Sequence, residues 1–111
     1  MASLGCWTLT LAAAASVALP ADAAEALTPE AKARGYGCFS CHGLVHKQVG
    51  PGFAQIAERY RGDSAKAEAL AAKIRGGSVG TWGRVLMPRQ RQVSEADARE
   101  LARWVLAQPA P

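Results

Sequence analysis

The segment Gly37-Cys38-Phe39-Ser40-Cys41-His42 decides the architecture of this chain. Its two cysteines and its histidine stand at positions i, i+3 and i+4, which lie on the same side of one helical turn. We therefore expect the thiols of Cys38 and Cys41 and the imidazole of His42 to converge on one surface, and we expect the rest of the fold to be built around that surface.

A Cys-x-x-Cys-His spacing is the attachment motif of c-type haem. The two sulfurs form thioethers with the haem vinyl groups, and the imidazole binds the iron from the proximal side. The predicted cofactor is one covalently attached haem c, with its iron, per chain. Because only about 88 residues follow the leader described below, a buried haem also enlarges a core that would be small without it.

The cysteine pair has three other interpretations: a redox dithiol, a structural disulfide and half of a zinc site. A thioredoxin-like dithiol requires a βαβ scaffold, and the sequence pattern predicts helices instead. A zinc site requires more ligands than Cys38, Cys41, His42 and the nearby His46 can arrange. These points favour haem attachment.

The 111 residues leave room for one domain preceded by a leader. Residues 9–19 are almost entirely Leu, Ala and Val, and Ala21-Asp22-Ala23 follows them, as in a secretory signal peptide with its cleavage site. No Lys or Arg precedes Lys32, which is unusual for such a signal. We predict a signal peptide at 1–23 and the functional domain at 24–111, with the mature protein in the periplasm. The apolar stretch is short for a membrane span, so we expect no stable membrane insertion after cleavage, and an uncleaved anchor is the alternative.

The chain is basic, with a formal net charge of +4. Removal of residues 1–23 takes away Asp22 and no basic residue, so the net charge rises to +5. The basic residues are scattered and form no nucleic-acid-binding motif, which argues against a nucleic-acid partner. Such a surface is typical of a protein that is steered toward acidic partners.

The helical signals predict an all-α fold of about four to five short helices around one covalently bound haem. Thr28 caps a helix that starts at Pro29 and runs to about Tyr36, and Ser94 caps the last helix, which Pro109 ends. Ser64 is predicted to cap a further helix that closes with a left-handed Gly76. The predicted buried faces repeat at helical spacing: Phe53, Ile56, Ala57 and Tyr60 in a short helix ending near Gly62; Ala67, Leu70, Ala71 and Ile74; and Ala98, Leu101, Ala102 and Val105.

Two segments are predicted to lack regular structure. Residues 43–52 form a loop closed by Gly50-Pro51-Gly52. Residues 76–93 contain four glycines, one proline and no periodicity, which indicates a long loop of the kind that is often functional.

The second iron ligand is approached by elimination. Beyond residue 23 the chain has two histidines and one methionine, and His46 follows His42 too closely to reach the opposite face of the haem. Met87 lies in the long loop, where the chain can fold over the distal side. A lone methionine is ordinarily core filling, but the haem motif favours ligation.

The chain resembles the short bacterial class I cytochromes c that serve as soluble periplasmic electron carriers. The segments that carry the resemblance span residues 37–106: Gly37-Cys38-Phe39-Ser40-Cys41-His42, Val49-Gly50-Pro51-Gly52-Phe53, Lys73-Ile74-Arg75-Gly76-Gly77, Trp82-Gly83, Met87-Pro88 and Leu101-Ala102-Arg103-Trp104-Val105-Leu106.

The resemblance implies roles for four residues around the haem. The carbonyl of Pro51 accepts a hydrogen bond from the proximal histidine, Trp82 and Lys73 bond or neutralise a haem propionate, and Gln90 reaches the sulfur of Met87. The simpler interpretations are a turn proline, a packed loop tryptophan and solvated polar side chains.

The sequence departs from the family pattern beside the methionine. Leu86 stands where the family commonly has proline, and Arg89 stands where a second proline is frequent. Because fewer prolines leave the backbone more freedom, we expect a somewhat weaker iron to sulfur bond.

With histidine on one side of the iron and methionine on the other, the predicted function is one-electron transfer between redox partner proteins, without enzymatic activity. We expect a monomer, and Arg84, Arg89 and Arg91 flank Met87 as a candidate docking patch for acidic partners, the alternative being a merely solvated loop. The other functional hypotheses are a subunit through which electrons enter a larger periplasmic oxidoreductase complex, and a haem sensor or enzyme in which a ligand displaces Met87.

Overall fold

A computed structural model describes residues 13–18 and 28–111 of the chain. The described part contains four α-helices, one 3-10 turn and one two-stranded sheet. In chain order these are α1 (Pro29–Gly35), the 3-10 turn (Cys38–Ser40), α2 (Phe53–Arg59), α3 (Lys66–Gly76), β1 (Ser78–Gly80), β2 (Gly83–Met87) and α4 (Glu95–Leu106). The predicted helical fold is confirmed, with a small sheet added to it.

Most of the predicted signal peptide and its cleavage site after Ala23 lie outside the described residues. Residues 13–18 are exposed and have no regular secondary structure. Within the described ranges, no helix is long and apolar enough to cross a membrane.

The first and last helices begin where the sequence predicts. The Thr28 hydroxyl accepts a hydrogen bond from the Ala31 amide at 3.1 Å, and the Ser94 hydroxyl accepts one from the Asp97 amide at 3.1 Å. Each bond satisfies a backbone donor that the first helical turn leaves unpaired. Both predicted caps are confirmed.

The predicted caps of α3 are each wrong by one residue. A turn in which the Lys66 amide bonds the Asp63 carbonyl at 3.2 Å precedes the helix. Ala65 rather than Ser64 therefore takes the N-cap position. At the other end Gly76 is still helical, and Gly77 adopts the left-handed φ of +81°. A β-carbon at Gly77 would lie 2.9 Å from the carbonyl oxygen of Met87 in β2. The approach of β2 therefore requires glycine at this position.

The prediction that residues 76–93 lack regular structure is wrong in part, because β1 and β2 form an antiparallel hairpin. Ser78 pairs with Met87 and Gly80 with Gly83, leaving Thr81 and Trp82 at the turn. Both glycines have positive φ, +97° and +117°, which a tight turn requires and other residues resist. The hairpin therefore places Met87 at the end of a strand.

The core lies along α4. The predicted stripe Ala98, Leu101, Ala102 and Val105 is buried, as predicted. The first three pack with Ala33 of α1, Ala71 of α3 and Val93, and Val105 packs with Phe53 and Ile56 of α2. Val93 is the largest side chain that is completely buried in the described part of the chain. The polypeptide core is thus small, and a bulky apolar group would add substantially to it.

A polar cluster ties α1 to α4 beside the start of the Cys-x-x-Cys-His segment. The Lys32 ammonium donates to Asp97 at 2.9 Å and also to Glu100, while the Tyr36 hydroxyl donates to Asp97 at 2.6 Å. The hydrogen bond from Tyr36, followed by that from Lys32, lowers the pKa of Asp97 below its usual value. The hydrogen bonds to Glu100 and Asp97 raise the pKa of Lys32. This cluster fixes Tyr36 two residues before Cys38.

Candidate functional site

One tight turn presents both cysteines and the histidine. Gly37 enters it with a left-handed φ of +80°, and Cys38–Ser40 form a 3-10 turn. The Cys38 carbonyl then accepts hydrogen bonds from the amides of Cys41 at 3.2 Å and His42 at 3.0 Å. These are the i+3 and i+4 bonds of a helical turn, so the three reactive side chains come from a single turn of the backbone.

The two thiols have different environments. Neither forms a disulfide; Cys38 is half-buried and Cys41 is exposed. Burial raises the pKa of the Cys38 thiol, which favours its neutral form. In the described part of the chain, no group of three or more His, Cys, Asp and Glu side chains is arranged to hold a metal ion. Both cysteines thus present the free thiol that a thioether to haem requires.

The loop after His42 folds back on its imidazole. The Cys41 carbonyl accepts hydrogen bonds from the amides of Val49 at 3.0 Å and Gly50 at 2.8 Å, and the His42 Nδ1 lies 2.7 Å from the carbonyl oxygen of buried Pro51. Because a carbonyl oxygen only accepts, Nδ1 carries the proton and donates it. The Nε2 lone pair is then left free for a metal, and the ring is held in one orientation.

An aromatic wall supports the same imidazole. The Phe53 ring stacks on His42 with centroids 5.1 Å apart and planes 18° apart. Phe53 in turn packs edge to face on Phe39 and Trp104, at 5.5 and 5.3 Å. The sequence placed Phe53 on a helical face and in one of the family segments but predicted no contact with the histidine; its position two residues after Pro51 is the signal for that contact.

Gly50 lies close against the imidazole ring of His42. A β-carbon at this residue would lie 2.9 Å from Cε1 and 3.2 Å from Nδ1 of His42. No side chain fits there unless the imidazole or the loop moves. The sequence indicated only a turn at this glycine.

Met87 is half-buried at the end of β2. The chain beyond it is held to α3, because the Gln90 amide bonds the Ile74 carbonyl at 3.1 Å. The side-chain nitrogen of Gln90 donates to the Pro88 carbonyl at 3.0 Å, and its oxygen accepts from Gln92 at 2.8 Å. The structure thus places the Gln90 amide nitrogen on a neighbouring carbonyl.

Two cations hold the hairpin turn that carries Trp82. The Lys73 ammonium donates to the Thr81 hydroxyl at 3.1 Å, and the Arg59 guanidinium donates to the Thr81 carbonyl at 2.9 Å. The Arg59 guanidinium also lies 4.6 Å from the centroid of the Trp82 ring. Lys73 and Trp82, predicted together, therefore meet at one turn, whereas the contribution of Arg59 has no signal in the sequence pattern.

The chemistry and the surface around these residues fit a covalently bound haem. The turn supplies two free thiols and an imidazole with a free Nε2, and the hairpin supplies a thioether. The loop after His42 and the hairpin before Met87 also expose apolar side chains. These are Leu44, Val45, Val49, Val79, Trp82, Val85 and Leu86, with exposed fractions from 38% to 65%. Large exposed apolar side chains in the two segments that flank the proposed iron ligands fit surfaces that an apolar group covers.

A sequence profile of the family described as Cytochrome c matches residues 23–108. The chain belongs to the cytochrome c family. Haem c with its iron is therefore the cofactor of this cytochrome, and electron transport is its general role. The predicted membership in the small class I group is confirmed by the relatives.

Three relatives show how much of this cytochrome is shared. Cytochrome c-552 from Nitrosomonas europaea is 44% identical over 93 residues, which cover 84% of this chain and 88% of the relative. Cytochrome c-552 from Hydrogenobacter thermophilus is 44% identical over 78 residues, 70% of this chain and 79% of the relative. Cytochrome c-551 from Pseudomonas aeruginosa is 39% identical over 90 residues, 81% and 86% of the two chains.

The fold comparison agrees with the sequence comparison. The crystal structure of wild-type Nitrosomonas europaea cytochrome c552 superposes with a TM-score of 0.69 at 42% identity, covering 71% of this chain and 98% of that one. The helical arrangement of this cytochrome is therefore the class I fold.

Proposed function

We propose that this cytochrome is a soluble periplasmic monohaem carrier that transfers single electrons between redox proteins. The observation that carries the proposal is the His42 imidazole, fixed through Nδ1 with Nε2 free, in a chain that also presents Met87 from a strand end. In the proposed site Cys38 and Cys41 form the thioethers, and His42 and Met87 are the proximal and distal iron ligands. Once bound, the haem supplies an iron centre that gains and loses one electron.

The chain's own residues would keep this centre rigid. The Pro51 carbonyl, the Phe53 ring and the close approach of Gly50 fix the imidazole, while pairing of Met87 with Ser78 holds the backbone from which the thioether projects. Iron ligands that keep their positions when the oxidation state changes lower the reorganisation energy of electron transfer. With both axial positions filled, a substrate would have no open site at the metal, which supports a carrier rather than an enzyme.

Three further residues are proposed to adjust the haem environment. Lys73 and Trp82 meet at the hairpin turn, where a cation and an indole N–H suit a carboxylate such as a haem propionate. Gln90 has two amide protons, and Pro88 accepts only one of them. The second is available for the proposed bond to the Met87 sulfur.

Potentiometric titration with carbon monoxide as a probe tests the proposed ligation. We expect a single transition with n = 1, and no rapid carbon monoxide binding by the reduced protein. The Met87→Ala variant should bind carbon monoxide rapidly and have a lower potential, because methionine ligation raises the potential. Ser64→Ala, which alters an exposed, uncharged residue outside the hairpin and the loop after His42, is the control and should resemble the wild type. Rapid binding by the wild type would favour a sensor or enzyme.

The periplasmic location and the free state of the carrier need a separate test. The predicted cleavage after Ala23 is checked by mass spectrometry of the native protein from periplasmic extract, which should begin at Ala24. Size exclusion of the same extract should show a monomer. A larger native assembly would instead favour the subunit of an oxidoreductase complex.

A further inference from the structure

Four arginines surround a surface groove between α3 and α4. The groove has a volume of about 610 Å³, and its rim includes Arg75 from α3, Arg99 from α4, and Arg89 and Arg91 from the segment that joins β2 to α4. The sequence grouped Arg84, Arg89 and Arg91 as one patch beside Met87. The structure separates them, because Arg84 lies on β2 and does not line this groove.

Two of the four arginines already have carboxylate partners. Arg75 donates to Glu95 at 3.2 Å and to the Val93 carbonyl at 3.0 Å. Arg99 donates from its Nε to both oxygens of Glu68, at 3.1 and 3.2 Å. These exposed pairs hold the two guanidinium groups at the rim.

The other two arginines give the groove its excess charge. Arg89 and Arg91 are exposed and form no ion pair with any described residue. The six charged residues of the rim therefore carry a net charge of +2. Guanidinium groups with free donors favour carboxylates, which they bind through two parallel hydrogen bonds.

The groove is anchored to the rest of the fold. The Gln90 amide bonds the Ile74 carbonyl at 3.1 Å, and a β-carbon at Gly77 would lie 3.4 Å from Cγ of Arg89. The exposed Ala72 of α3 also lines the groove, and its small side chain leaves room for a bound chain there. A preformed surface of this kind needs little reordering on binding.

We infer that this groove docks an acidic segment of a redox partner protein, with Arg89 and Arg91 binding its carboxylates. The inference rests on the proposed carrier function and names the partner's recognition chemistry. A β-carbon at Gly77 would lie 2.9 Å from the Met87 carbonyl oxygen and 3.4 Å from Cγ of Arg89, so a partner held by Arg89 lies close to the backbone that carries the proposed distal ligand. The bound segment adds negative charge to a rim that has an excess of two positive charges.

The test uses the oxidised holoprotein and a capped peptide of six aspartates, at low ionic strength. Amide shifts measured by NMR should be largest for residues that line the groove. Arg89→Gln with Arg91→Gln should raise the Kd roughly three- to tenfold, the range for loss of two exposed charge pairs. Arg61→Gln with Arg103→Gln is the matched control, since it removes the same charge from exposed arginines that do not line the groove. It should change the Kd less than about twofold.

Equal weakening by both double variants would mean non-specific attraction and would overturn the inference, as would shifts centred elsewhere. Pyrophosphate serves as a second probe. Groove binding of pyrophosphate without binding of the peptide would identify a free anion as the ligand and would also overturn it. Peptide binding does not depend on electron transfer, so a failure here leaves the potentiometric test of the carrier function intact.

Discussion

The Nδ1 of His42 donates its proton to the Pro51 carbonyl oxygen across 2.7 Å, and this bond fixes the direction in which Nε2 points. The two partners are nine positions apart in the sequence, and the hydrogen bonds from the Val49 and Gly50 amides to the Cys41 carbonyl fold the loop back so that they meet. The proximal ligand is therefore oriented by the fold of the loop rather than by the attachment motif alone.

Gly50→Ala tests how closely the loop fits the imidazole. The added β-carbon would lie 2.9 Å from Cε1, so the ring or the loop must shift. We expect the free energy of unfolding in urea to fall by about 1–3 kcal/mol, as for other overpacked sites. The NMR signal of the Nδ1 proton should also move. Gly35→Ala is the control, because a β-carbon there meets no atom within 4 Å. Unchanged stability and an unchanged Nδ1 signal in Gly50→Ala would show that the loop accommodates the added β-carbon without disturbing the imidazole.

Asp97→Asn tests the polar cluster between α1 and α4. Hydrogen bonds from Tyr36 and Lys32 lower the pKa of Asp97, so the folded state favours its charged form. The resulting stability is present above the carboxyl's unfolded pKa and is lost as the pH falls through the folded one. The variant should therefore have a lower urea midpoint than the wild type at pH 7.

The same variant should converge with the wild type once the pH falls below the lowered pKa of folded Asp97, where the carboxyl is protonated in both states. Glu30→Gln removes one negative charge from an exposed pair with Arg34 and should change the midpoint much less. A deficit in Asp97→Asn that persists unchanged into acid would mean that the cluster contributes packing rather than charge.

Arg59→Gln tests the contacts that hold the hairpin. It removes the hydrogen bond to the Thr81 carbonyl and the cation–π contact with Trp82. Hydrogen exchange of the hairpin amides should accelerate about five- to tenfold, as expected for loss of roughly 1 kcal/mol of local stability. Arg61→Gln is the charge-matched control and should leave the exchange unchanged. Equal exchange rates in both variants would mean that the backbone pairing of β1 and β2 is sufficient to stabilise the hairpin without Arg59.

The sequence was sufficient to predict the parts of the fold that obey local rules. The Cys-x-x-Cys-His spacing predicted one turn that presents Cys38, Cys41 and His42. The apolar period of α4 and its Ser94 cap predicted a helix that the structure contains. Each of these signals depends on residues at most a few positions apart.

The hairpin could not be predicted in this way. A strand shows alternation when one of its faces packs on a polypeptide core, but Val79, Val85 and Leu86 are all more than 60% exposed. The contacts of Arg59 with Trp82 and of Gly50 with His42 depend on how separate segments meet. These contacts can be identified only from the tertiary structure.

A urea titration of the ferric protein tests the predicted weakness of the bond between the iron and the Met87 sulfur. Leu86 and Arg89 replace prolines common in the family, so the backbone has more freedom there. We expect the red-region absorption of methionine-ligated iron to disappear at a lower urea concentration than the helical circular dichroism signal. Coincident transitions would show that β2 and the Gln90 to Ile74 bond hold the segment without proline.

The absorption spectrum of the periplasmically expressed protein, recorded oxidised and then reduced with and without carbon monoxide, tests the central claim most directly. Haem held by Cys38 and Cys41 should resist extraction with acidified acetone. The oxidised protein should show the red-region methionine band, and carbon monoxide should leave the reduced spectrum unchanged. Extractable haem, or a reduced spectrum that carbon monoxide shifts rapidly, would contradict a covalently bound haem closed on both sides by His42 and Met87.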